Sequence, residues 1–143
     1  MAWRESQMTL AAREVEREYR ELWNGDYSKL DVVAESVDLS VPSMSDGEIH
    51  GRDEFEAYLR ELRTGFPDWH VTVDEILATD ELVMKEWTVT ATHEGEYSGI
   101  QPTNREIEMS GMAKIVIENG KVQRDTLYYN FQELLEQLGL VEA

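Results

Sequence analysis

The hydrophobic period of this chain changes once, and that change sets its fold class. Up to Phe66 apolar residues recur at helical spacing; from Trp69 onward they alternate. Met8, Ala12, Val15, Tyr19, Leu22 and Trp23 form one stripe of a helix from about Ser6 to Asn24, with Arg and Glu on its other side. Asn24-Gly25-Asp26 stops it. A short helix around Ser28–Ala34 and an irregular stretch through Pro42 and Asp46-Gly47 lead to a second helix, which starts near Gly51-Arg52-Asp53. Phe55, Tyr58, Leu59, Leu62 and Phe66 make its buried face, and Phe66-Pro67-Asp68 ends it. Trp69–Ala78, Leu82–His93, Arg105–Ile117 and Lys121–Tyr129 read as four strands, and Phe131, Leu134, Leu135 and Leu138 as a closing helix or turn. Helices followed by a meander of long strands predict an α+β fold: a curved antiparallel sheet with helices on its concave side and a central pocket between them.

The chain has no repeat or linker, and residues 1–143 are expected to form one domain, long enough to bury roughly two-thirds of its unfolded surface. The absence of cysteine excludes disulfides, thiol catalysis and cysteine-based zinc sites. Met-Ala-Trp-Arg-Glu-Ser lacks the apolar run of a signal peptide, and no segment suits a membrane span, so a cytoplasmic protein with no membrane partner is expected. Thirty acidic against thirteen basic residues give a formal charge of −17, which repels phosphate backbones and argues against a nucleic-acid partner. With nine arginines and only four lysines, the acid coat also suits a protein adapted to high salt; an ordinary acidic cytosolic protein is the alternative. Screening of that coat predicts a melting temperature that rises by many degrees between dilute buffer and molar potassium chloride. A flat response in a thermal scan would remove the halophilic reading.

The connection between the second and third strands carries the densest motif: His93-Glu94-Gly95, then Gly99, then Pro102-Thr103-Asn104-Arg105. It resembles the H-x-G-x-x-x-G-x-x-P-T-x-R signature of the SnoaL-like polyketide cyclases, in the nuclear transport factor 2-like superfamily of cystatin-like α+β cones. Trp23-Asn24-Gly25, Ile49-His50-Gly51 with Phe55, Phe66-Pro67-Asp68, Gly120-Lys121-Val122 and Gln137-Leu138-Gly139 extend the resemblance in order over nearly the whole chain. Gly95 and Gly99 let the chain turn after His93, and Pro102 and Thr103 shape its return. Arg105 is expected to tie the loop to a carboxylate. For His93 two roles stand side by side, structural at the pocket rim or in contact with a ligand.

Such cyclases close a ring by intramolecular aldol condensation without cofactor or metal, so the resemblance implies neither here. It places the family's acid/base carboxylate at Leu127, its facing histidine at Ala113 and its asparagine at Val41, all apolar in this chain. Asp125, two residues before Leu127 on the same strand face, is the candidate replacement. A two-residue Asn119-Gly120 turn sets Asp125 opposite Lys114, in an outward ion pair; a three-residue turn with Gly120 in a bulge sets it opposite Ala113, facing the pocket. Asn-Gly favours the first, the resemblance the second, and the second is adopted. Met109, Gly111, Ala113, Gln123, Asp125, Leu127 and Tyr129 then line the concave face, with Trp23, Leu59 and Phe66 opposite, and Val41 is the remaining expected ligand contact. Apolar surroundings would raise the pKa of Asp125, as an acid/base catalyst requires.

His50, His70 and His93 lack metal-ligand spacing. Lys85 and Glu86 sit mid-strand on opposite faces, and periodicity does not say which points inward. Three functions fit this pattern: a cofactor-independent cyclase, isomerase or hydrolase acting on a small apolar oxygenated molecule through Asp125 with His93 or a tyrosine; a non-catalytic cup for a hydrophobic metabolite; or a dimeric scaffold with a vestigial pocket. Met112, Val116, Thr126 and Tyr128 on the opposite sheet face predict a homodimer packed through the sheet.

Overall fold

The computed structural model describes residues 6–43 and 46–141; all but Ser6 of the N-terminal Met-Ala-Trp-Arg-Glu-Ser stretch read above lies outside them. Helix α1 (Gln7–Trp23) begins where the Thr9 N–H donates to the Ser6 hydroxyl at 3.0 Å, and buries Ala12, Val15, Tyr19, Leu22 and Trp23 of its predicted stripe, while Met8 in its first turn stays exposed. Asn24 does more than stop it. Its side-chain amide donates to Val71 O at 3.1 Å and accepts from Val71 N–H at 2.7 Å, pinning the helix end to a strand. Helix α2 (Arg52–Gly65) buries Phe55, Leu59 and Leu62, and Arg63 near its end donates to the carbonyls of Trp23, Pro67 and Trp69.

Six strands form one sheet: β1 (Val33–Ser40), β2 (Glu48–His50), β3 (His70–Ala78), β4 (Leu82–Thr92), β5 (Glu106–Glu118) and β6 (Lys121–Tyr128), in the order β2-β1-β6-β5-β4-β3. A short helix α3 (Phe131–Gln137) closes the chain. The last four strands and both long helices match the sequence reading within a few residues. The first two strands correct it. The short helix is present as a 3₁₀ helix over Tyr27–Val32, but the residues after it, Val33–Ser40, form β1 before the irregular stretch through Pro42 and Gly47 begins. A register shift between Val33 and Asp38 breaks the alternation there: Val33 and Ala34 are both buried, as are Val37 and Leu39. β1 also runs parallel to β6, so the sheet is mixed rather than wholly antiparallel.

The β5–β6 hairpin corrects both expected registers. Asn119 (φ 55°) and Gly120 (φ 72°) form a two-residue turn, and Glu118 faces Lys121. An extra residue then enters β6: Ile117 faces Val122, but Val116 faces Arg124. Gln123 is the bulged residue, its amide donating to Glu118 O at 2.9 Å instead of facing the pocket. The bulge reverses the strand's faces, so Val122 and Asp125 both point into the core. Asp125 lies opposite Ile115, not Ala113 or Lys114, and Ala113 pairs with Leu127. The expected face is right for a reason the turn alone does not supply.

Candidate functional site

Two neighbouring spaces, which share two lining residues, lie beside the helices and the sheet. The outer one, about 510 Å³, is walled by Val41, Phe66, Tyr97, Phe131 and Leu134 among others. The inner one, about 40 Å³, is lined by Trp23, Trp69, Trp87, Met109, Leu127 and, as polar members, Arg20, Lys85 and Asp125. Tyr58 and Tyr129 line both. Burial raises the pKa of both hydroxyls, to about 12 for Tyr129 with Tyr97 assisting, so they stay protonated donors across the physiological range.

Asp125 is 1% exposed. Its Oδ2 accepts from the Tyr19 hydroxyl at 2.6 Å, and its Oδ1 has no partner. Burial pushes its pKa up to about 6, although the Tyr19 hydroxyl and the charge of Lys85 both pull it down. A carboxyl poised near neutrality can accept and return a proton. The Tyr19 hydroxyl is itself held far above its usual range by burial and by the adjacent carboxylate.

Beside this pair runs a buried ionic relay. Lys85, 5% exposed, donates from Nζ to Glu16 Oε2 at 3.1 Å, and Arg20 grips the same carboxylate with Nε at 3.1 Å and Nη2 at 2.6 Å. Burial alone would raise the Glu16 pKa, but the two cations overcome it and hold the carboxyl below its ordinary value. Lys85 Nζ also sits 5.7 Å from the centre of the Tyr19 ring. Lys85 is therefore the inward member of the Lys85–Glu86 pair, and Glu16 is a site residue that the sequence reading missed. Spacing held the signal: position 16 is four after Ala12 and three before Tyr19, inside the buried stripe.

Of the other expected site residues, Trp23, Met109, Leu127 and Tyr129 line the inner space, and Val41, Phe66 and Tyr129 the outer. Leu59 and Ala113 are buried in the core and line neither. His93 is fully buried, stacked on Phe66 with ring centres 5.2 Å apart, and also lines neither space. Its Nδ1 accepts from the Thr103 N–H at 3.2 Å, so it clasps its own loop across the motif rather than meeting Asp125. Gly95 belongs to the same architecture: a Cβ there would fall 2.0 Å from Thr64 O, where the loop crosses the end of α2. Arg105 lies against Gly139 at the end of α3, and no carboxylate among the described residues forms an ion pair with it. Among the described residues no helix is long and apolar enough to cross a membrane.

Among solved structures, a SnoaL-like protein of Jannaschia sp. CCS1 superposes with a TM-score of 0.86 at 13% identity, over 98% of this chain and 99% of that one. AclR of Streptomyces galilaeus gives 0.78 at 25% identity, over 94% of this chain and 85% of its own. IdmH of Streptomyces antibioticus gives 0.77 at 23%, over 94% and 99%. No curated protein matches the sequence. The family model for SnoaL-like polyketide cyclases matches residues 13–138, from within α1 to just past α3. With that match over most of its length, and a fold shared with these structures, this chain belongs to the SnoaL-like polyketide cyclase family.

Proposed function

We propose that this small-molecule pocket protein is a cofactor-independent acid/base enzyme, in which Asp125 moves a proton on an apolar, oxygen-bearing metabolite. The observation that carries this reading is Asp125 itself: buried on the wall of the inner space, its Oδ1 unpartnered, its pKa brought to about 6. Cyclisation and isomerisation both begin by withdrawing a proton from carbon beside a carbonyl, and a carboxylate with this pKa is a competent base for that step. The resemblance puts the family's acid/base positions at Val41, Ala113 and Leu127, none of which can carry a proton, and this favours Asp125 as the proton carrier.

The test is hydrogen–deuterium exchange into cyclohexanone and 1-indanone, followed by proton NMR in heavy water. Exchange above the buffer background, with a rate that rises through about pH 6 as Asp125 ionises, is the expected result. Ketones that bind without accelerated exchange would instead support a binding protein for hydrophobic metabolites, which the predominantly apolar walls of both spaces favour.

We further propose that the protein works as a homodimer. Met84, Met112 and Tyr128 stand exposed on the convex face of β4, β5 and β6, with Met112 directly opposite Tyr128. A second copy covering them would remove contiguous apolar surface from water. Light scattering at micromolar concentration in high salt is expected to give twice the chain mass; a monomer would defeat the proposal.

A further inference from the structure

Four buried side-chain nitrogen or oxygen atoms among the described residues have no hydrogen-bond partner: Trp69 Nε1, Trp87 Nε1, Asp125 Oδ1 and His93 Nε2. Native proteins leave few such atoms, because each unpaired buried group has given up its water partners without a replacement. Three of the four belong to residues lining one space, the inner cavity. Two are indole N–H donors, which can only donate, and the third is a carboxyl oxygen. Trp87 is held in place by its neighbour across the β4–β5 pair. It faces Gly111, and a Cβ on that residue would lie 2.5 Å from Trp87 Cζ2, so the indole lies on a position kept bare for it.

We propose that the inner cavity is a carbonyl subsite, in which the indole N–H groups of Trp87 and Trp69 donate to a ketone or ester oxygen of the ligand. The size of the cavity fits that role. At about 40 Å³ it accepts a carbonyl end or a few waters but no ring, while the adjoining 510 Å³ accepts an apolar body. A ligand spanning both spaces would set its oxygen in the smaller one and its apolar part against Phe66 and Leu134, with Tyr58 and Tyr129 touching both portions. Asp125 Oδ1, on the wall of the same space, is the carboxyl oxygen available to the carbon beside that carbonyl. As negative charge gathers on the carbonyl oxygen, the same two donors would stabilise it. Trp87 and Trp69 thereby select for a carbonyl over a hydrocarbon of the same shape. This inference rests on the acid/base reading of Asp125, and deepens it.

The experiment is a ¹⁵N–¹H titration of the full chain, in which the four tryptophans give separate indole signals, assigned with Trp69→Phe and Trp87→Phe. Cyclohexanone is compared with methylenecyclohexane, which replaces the oxygen by a CH₂ group of nearly the same size. Cyclohexanone is expected to move the Trp87 and Trp69 indole protons downfield, and methylenecyclohexane to leave them in place. Trp87→Phe is expected to weaken cyclohexanone binding by roughly two- to tenfold, the value of one hydrogen bond, and to leave the hydrocarbon's affinity unchanged. Indole signals that ignore the ketone at saturation would overturn the subsite, as water alone filling the cavity would predict. Equal shifts from both probes would overturn it too. Asp125→Asn separates the two readings. Downfield shifts without any exchange in the wild type would sink the catalytic reading and keep the subsite, whereas exchange lost in Asp125→Asn with unmoved indoles would do the reverse.

Discussion

Asp125→Asn is expected to lower the ketone exchange rate about 10²–10⁴-fold, the usual worth of a positioned acid/base group, while ligand binding changes little. Asparagine keeps the shape and can still accept from the Tyr19 hydroxyl, but it cannot take up a proton. The same variant carries a stability signature. In the folded chain Asp125 has its pKa raised from 3.8 to about 6, so the folded state holds a proton that the unfolded state has released. The stabilisation from this neutral carboxyl is fully present below pH 4 and is lost as the pH rises through about 6. The loss amounts to something on the order of 3 kcal/mol. Denaturant unfolding of wild type and variant should therefore diverge between pH 4 and pH 7, with wild type losing stability relative to Asp125→Asn as the pH rises. Parallel curves over that range, together with undiminished exchange, would remove Asp125 from both roles.

Glu16→Gln is expected to destabilise the fold by about 3–5 kcal/mol, because it leaves the buried Lys85 ammonium without its partner. Lys85→Met should cost less. Arg20 still neutralises Glu16 in that variant, and methionine fills the aliphatic volume. The double variant should then cost far less than the two single losses together, since the unpaired charge is gone. For a domain of this size the first change lowers the melting temperature by roughly 10 °C. Additive losses in a double-mutant cycle would mean that Glu16 and Lys85 do not interact as their 3.1 Å contact implies. A pair so costly to break sits beside Asp125 for a physical reason. The Lys85 charge opposes the burial that raises the Asp125 pKa, and so helps keep it near 6 rather than higher.

The sequence by itself determined the elements whose stabilising contacts repeat at short range. α1, α2 and the long strands β4 and β5 each bury one face continuously, so the apolar residues recur at a period of 3.6 or 2 and the type of element is legible. The family motif was legible too, because Gly95 answers to a local close approach between loop and helix. β1 was not. Its partner β6 is distant in the chain, its pairing is parallel, and its register shift breaks the alternation that would have marked it.

At the site the division follows the same line. Trp23 and Met109 were placed by face alone. That Asp125 faces inward depends on the bulge at Gln123, a one-residue insertion in the pairing that no local pattern announces and that reverses the side of every residue after it. That Glu16 and Lys85 can both be buried depends on a helix and a strand meeting across the core, since either charge alone would be driven to water. The orphaned indoles of Trp69 and Trp87 are likewise visible only in three dimensions. An indole lacks a partner only with respect to everything packed around it, and tertiary structure alone sets that neighbourhood.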